Sequence, residues 1–312
     1  MAAITASMVK ELREMSGAGM MDCKKALTET DGNFDKAMEF LREKGLATAA
    51  KKAGRIAAEG IVMTTVVDGG KKAAMVEVNA ETDFVAKNEV FQTYVKEIVD
   101  QIVSTDVQDV DALKAAKWTL DPSMTVEEKH AAMVAKIGEN MNIRRFAKVD
   151  TDGQVVSYIH AGGKIGVLVE ADTDASGEAI DECLKNVAMQ VAAMNPKYVS
   201  TDEVSEEYKA HELEILVAQA KNDPKNANKP DNIIEKMVQG RLNKELKEVC
   251  LLEQEYVKAE NKENVAKYVE NVAKANGCKL AIKQFVRFET GEGLEKKNED
   301  FAAEVAAQMA GN

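Results

Sequence analysis

Histidine and cysteine are scarce, with 3 and 4 copies in 312 residues. Cys23, Cys183, Cys250 and Cys278 are too scattered for a C-x-x-C redox pair or metal knuckle, and His130, His160 and His211 form no ligand cluster. Buried, reduced thiols are the expectation. Long apolar runs are missing as well. No stretch approaches the roughly 18 residues of a membrane span, and Lys10, Glu11 and Arg13 arrive before any apolar signal segment could form. A cytoplasmic protein with no membrane partner is expected. Basic charge is also in deficit: 41 Lys and Arg face 53 Asp and Glu, a net charge of −12. Phosphate backbones are repelled on average, so no direct nucleic-acid partner is expected.

The fingerprints of catalysis fail in turn. Gly162-Gly163-Lys164-Ile165 lacks the upstream glycine and the Ser/Thr of a phosphate-binding loop, and Gly17-Ala18-Gly19 lacks the third glycine of a dinucleotide loop. His211-Glu212 has no second histidine for a zinc helix. Asp31, Asn33 and Asp35 imitate the start of a calcium loop, but Lys36 replaces its glycine and Arg42 its bidentate glutamate. No Gly-x-Ser-x-Gly elbow occurs. Neither an enzyme nor a bound metal or cofactor is expected.

What is present is core material, 45% hydrophobic against 30% charged residues, in a chain long enough for two or more domains. Residues 1–45 read as three short helices. Met8, Val9 and Leu12, then Met20, Met21 and Leu27, then Phe34, Ala37, Met38 and Leu41 recur at helical spacing, with Thr5 or Ser7 as the first cap and Gly45 as the end. The Ala/Lys-rich stretch 46–60 is a linker candidate. Beyond it the chain repeats itself. Gly60 to Lys71 lines up with Gly153 to Lys164, each a strand, a Gly-Gly turn and a second strand; after a two-residue shift, Val76 to Asp83 matches Val167 to Asp174. Each copy then enters a helical pattern. The expected fold class is α+β: a core of two antiparallel-sheet subdomains, 61–150 and 151–200 with 251–290, each a hairpin plus helix. Thr125-Val126-Glu127-Glu128 is a capping box between the copies. Residues 201–250 form a helical hairpin, broken by Pro224 and Pro230, and 291–312 a terminal helix carrying Phe301, Val305 and Met309.

The segment Glu77 to Asn88 stands where strand gives way to helix, with Thr82 or Asp83 as cap and Thr173-Asp174 in the same place in the second copy. The copies then diverge, the second continuing Ala175-Ser176-Gly177 and the first placing Phe84 beside the cap. Pattern alone leaves that ring a core anchor or a partner-facing wedge.

Leu12 to Leu27, Glu77 to Lys87, Lys136 to Arg145 and Gly291 to Gln308 together resemble the elongation factor Ts family over nearly the whole chain. Asn222 to Pro230 and Leu251 to Asn264 lie where that family varies in length. The resemblance implies an N-terminal module like a ubiquitin-associated domain, a duplicated core, a protruding helical hairpin and a C-terminal helix. It further implies a guanine-nucleotide exchange factor that meets elongation factor Tu in its GDP-bound and nucleotide-free forms. Thr82, Asp83, Phe84 and Val85 would be the wedge that dislocates the partner's magnesium, with Arg13, Met20 and Met21 on its nucleotide domain and His160 serving the second subdomain. The methionines read equally as core of the helical module, and His160 as a packed hairpin residue. A homodimer through the helical hairpin or a heterotetramer with the partner both remain open. From a different class, a non-exchanging scaffold or holdase is the alternative.

Overall fold

Thr5 opens α1 (Ala6–Ser16), its hydroxyl accepting the Met8 N–H at 3.3 Å; Ser7 lies inside the helix. The computed structural model describes residues 4–226 and 229–296 of the chain. α2 (Met20–Glu29) follows, then α3 (Phe34–Lys52), capped by Asn33. Leu12, Cys23, Leu27 and Ala37 fill the small core among these helices. The expected end at Gly45 is wrong. α3 runs through Gly45, where a Cβ would lie 3.6 Å from the Ala131 backbone, so this glycine marks a helix crossing rather than a cap. The first part of the stretch read as linker, residues 46–52, is therefore helical, and the remainder leads irregularly into the first strand.

β1 (Glu59–Val67) and β2 (Lys72–Ala80) form the first hairpin. α4 (Asp83–Ala86), α5 (Glu89–Ser104) and α6 (Val110–Ala115) follow, then the short pair β3 (Lys117–Trp118) and β4 (Asp121–Thr125). α7 (Val126–Ile137) opens on the Thr125/Glu128 capping box, with both of its hydrogen bonds made. β5 (Met141–Asp150) completes an antiparallel sheet of order β1-β2-β5. β6 (Gln154–His160) and β7 (Ile165–Thr173) make the second hairpin, and α8 (Glu178–Met194) lies on it. After α9 (Glu206–Asn222), α10 (Asp231–Val249) and α11 (Val265–Asn276), β8 (Leu280–Glu289) closes a second sheet of order β6-β7-β8. The protein is α+β.

The hairpins are alike in detail. Asp68-Gly69-Gly70 turns with φ of 54°, 63° and 88°, and Ala161-Gly162-Gly163 with 49°, 66° and 98°. Ile61 pairs with Val78 in the first hairpin and Gln154 with Ala171 in the second, which continues the turn alignment without a gap. The two-residue shift read from the sequence is therefore incorrect: Glu77 corresponds to Glu170. Both third strands carry a bulge at that point, opposite Glu77/Val78 and Glu170/Ala171. Thr173 is no helix cap either. Its hydroxyl accepts the Ala175 N–H, and α8 starts later, after Gly177.

Alternation along the strands gives each sheet two buried faces. Ala74, Val76 and Val78 pack under α5, and Val167, Val169 and Ala171 under α8. The opposite faces meet each other through Val62, Met75, Val149, Leu168 and Phe288, where Met75 and Leu168 each gain about 1.5–3 kcal/mol from burial. Gly166 permits the approach, since a Cβ there would stand 2.4 Å from the Val62 Cγ1. α9 and α10 pack on one another around Leu216, Ile234, Val238 and Leu242, a core separate from those of both sheets. The final helix expected around Phe301, Val305 and Met309 lies outside the described residues.

Candidate functional site

β2 ends at Ala80 and the chain turns at once into α4, whose four residues are divided between two environments. Val85 and Ala86 point into the first core, leaving 8% and 7% of their surface exposed, whereas Phe84 is 81% exposed. Phe84 is thus no core anchor, and the Val85 side chain is not available to a partner surface. Thr82, rather than Asp83, is the cap, its hydroxyl accepting the Val85 N–H at 3.4 Å. Asp83 pairs with Lys87 at 2.6 Å, and that ammonium, with help from Lys164, holds its carboxyl below the usual aspartate value.

A carboxylate from the approach to β5, the strand paired beside β2, reaches the same turn. Glu139, between α7 and β5, accepts the Thr82 N–H at 3.0 Å and the Thr82 hydroxyl at 2.7 Å. Glu81 in turn accepts the Asn140 N–H at 2.5 Å. A shallow groove beside Phe84 is lined by Ile56, Ala58, Glu59 and Lys296.

The tip of the second hairpin arrives at the same end of β1. The Gly163 carbonyl accepts both the Val62 N–H at 2.8 Å and the Thr290 hydroxyl at 2.9 Å, and Lys164 pairs with Glu59 at 2.6 Å. His160, at the base of that tip, is exposed and hydrogen-bonds the Tyr158 hydroxyl at 3.0 Å. Arg13 is exposed on α1, and Met20 and Met21 on α2 expose 58% and 73% of their surface, so these methionines are not module core. They belong to the helical unit that α3 fastens to α7, not to the α4 turn.

Sequence reasoning missed the support beneath this surface. Glu77, fully buried on β2, accepts from Arg144 at 3.0 Å, Arg145 at 2.6 Å, Asn79 at 3.0 Å and the Gly291 N–H at 2.8 Å. Burial pushes its pKa up, but the Gly291 N–H, Asn79 and the two arginines outweigh it and leave the carboxyl below the usual glutamate range. Arg145 also stacks on Phe288, 4.3 Å from the ring centre. Only the adjacent Arg144-Arg145 beside a strand pattern hinted at a buried acid.

Among the described residues no group of three or more His, Cys, Asp or Glu could hold a metal, and no helix is long and apolar enough to cross a membrane. Residues 81–292, which include α4, Glu139 and the second hairpin, match the family model described as Elongation factor TS. The chain belongs to the elongation factor Ts family. It is 57% identical to elongation factor Ts of Clostridioides difficile (strain 630) over 309 residues, covering 99% of this chain and 100% of that one. Elongation factor Ts of Clostridium novyi (strain NT) is 52% identical over 98% of this chain and 99% of its own, and that of Clostridium tetani (strain Massachusetts / E88) 51% identical over 98% and 99%. Membership makes the chain a translation elongation factor of the nucleotide-exchange kind.

Proposed function

We propose that this chain binds elongation factor Tu carrying GDP, disturbs its magnesium and phosphate sites, and promotes the exchange of GDP for GTP. The observation that carries the reading is Phe84: a large ring, 81% exposed, on a turn anchored from both sides within the matched region. No bond is made or broken in the process. An exchange factor needs only to bind the empty partner better than the loaded one, and linkage then makes factor and nucleotide mutually antagonistic. Magnesium and the phosphate cradle supply much of a GTPase's hold on GDP, so a wedge that disturbs them has leverage.

In this reading Phe84 enters the partner near its magnesium site, flanked by Thr82 and Asp83, and Val85 seats the turn from inside the core. Arg13, Met20 and Met21 meet the nucleotide domain, with α1 to α3 acting as a module like a ubiquitin-associated domain. His160 presents the second sheet's hairpin tip. The two sheets serve as subdomains, 61–150 and 151–200 with 251–290. The 201–250 hairpin stands apart, available for a homodimer or a heterotetramer with the partner, and a cytoplasmic location accords with the role. Stopped-flow release of a fluorescent GDP from elongation factor Tu tests the proposal. Catalytic amounts of the chain should accelerate release; an unchanged rate would refute it.

A further inference from the structure

We propose that Glu139 is the positioning residue that holds Phe84 in its exposed pose, acting through Thr82. The inference rests on the exchange reading above and adds to it the part that keeps the wedge rigid. α4 has one turn, and a single turn fixes several dihedral angles for very few hydrogen bonds, so it cannot hold itself. Its own cap is long, 3.4 Å from the Val85 nitrogen to the Thr82 hydroxyl oxygen. The ring, mostly in solvent, adds little packing. Burial of Val85 and Ala86 fixes the depth of the turn but leaves its N-terminal end to swing.

Glu139 closes that end. One carboxylate takes both the N–H and the hydroxyl of Thr82, at 3.0 and 2.7 Å, and two charge-assisted bonds to one residue set orientation as well as position. With its proton committed to Glu139, the hydroxyl oxygen faces Val85 as an acceptor. The reverse bond, from the Asn140 N–H to Glu81 at 2.5 Å, makes the hold reciprocal, and the Asn140 side chain donates to the Arg55 carbonyl at 2.7 Å. Glu81-Thr82 and Glu139-Asn140 thus lock each other across the end of the sheet. A ring ordered before the encounter does not have to be ordered during it, which keeps binding free energy for the partner.

Two measurements on the full chain test this. Hydrogen exchange on the free protein should show residues 82–87 losing protection in Glu139→Ala, while β2 and α5 keep theirs; unchanged protection of 82–87 would overturn the proposal. In GDP release from elongation factor Tu, Glu139→Ala should slow exchange by roughly fivefold in the wild-type background and add nothing in a Phe84→Ala background, because both act through one ring. Losses that multiply would show that Glu139 works by another route, and the proposal would fall. Glu139→Gln keeps one acceptor for Thr82, should recover part of the rate, and stands in if the alanine variant does not fold. A wild-type chain that leaves GDP release unchanged would refute the exchange reading alone, and the exchange-protection result would still decide the clamp.

Discussion

Glu77 and Glu170 occupy the same register position in the two hairpins, each opposite the bulge of its third strand and each facing the interior between the sheets. Glu77 is met by Arg144 and Arg145, and Glu170 by Lys283 and Gln284, pairs that stand in equivalent places on β5 and β8. In Glu170 too, burial is outweighed by its partners, led by Lys283, and the carboxyl lies below the usual range.

Glu77→Gln should therefore cost about 3 kcal/mol near neutral pH, since it leaves Arg144 without its carboxylate and Arg145 with Glu292 alone. The folded-state pKa of Glu77 is depressed, so its stabilisation is complete above the unfolded-state value and disappears as pH falls through the folded value. Thermal melts from pH 7 downward should show the wild type losing stability faster than the variant, with the two curves converging in acid. Parallel curves would refute the assignment.

Phe84→Ala should fold with stability within about 0.5 kcal/mol of the wild type, as expected for an exposed position, yet slow GDP release. Had the ring been buried, truncation would cost about 3 to 5 kcal/mol. If the ring acts at the partner's magnesium site, the variant should lose most of the magnesium-dependent acceleration and little of what remains after chelation. Equal losses with and without magnesium would make Phe84 a general docking residue.

A Cβ at Gly45 would sit in ordinary contact with the α7 backbone, 3.6 Å away, without a clash, so Gly45→Ala should raise stability by about 0.5–1 kcal/mol through helix propensity. Gly45→Leu should lower it, because the added atoms meet the α7 backbone. Denaturant midpoints of the two variants check both signs.

Gly166→Val should destabilise by about 1–3 kcal/mol, since its Cβ would press on Val62 and on the Met75 sulfur, 2.9 Å away, between the sheets. Chemical denaturation measures it; a neutral result would mean that the sheets separate without loss.

The hairpins, their Gly-Gly turns and the Thr125 capping box were legible because each is a local pattern with a local cause. The register between the repeats was not. Side chains alternate with period two, so a slip of two residues leaves every valine facing the same way, and the residues that break the degeneracy, Glu77 and Glu170, resemble solvated charges in so acidic a chain. Gly45 is ambiguous because a glycine at a helix crossing and one at a helix end look alike in sequence. For Phe84, one helical turn offers no periodicity to decide inside from outside. Glu139 lies 57 residues from Thr82, and nothing local joins them.

The Gly291 N–H on Glu77 spans 214 residues of sequence, and this has a consequence for synthesis. The strand that bears Glu77 leaves the ribosome long before the residue that completes its hydrogen bonding. Until residue 291 emerges, the carboxylate has Asn79, Arg144 and Arg145 but not its backbone donor, and Arg145 lacks the ring of Phe288 beneath it. The earliest sheet to be made is thus among the last parts to be finished, and a chain that stops short of β8 would carry an acid missing one of its four donors in the surface meant to receive the second sheet.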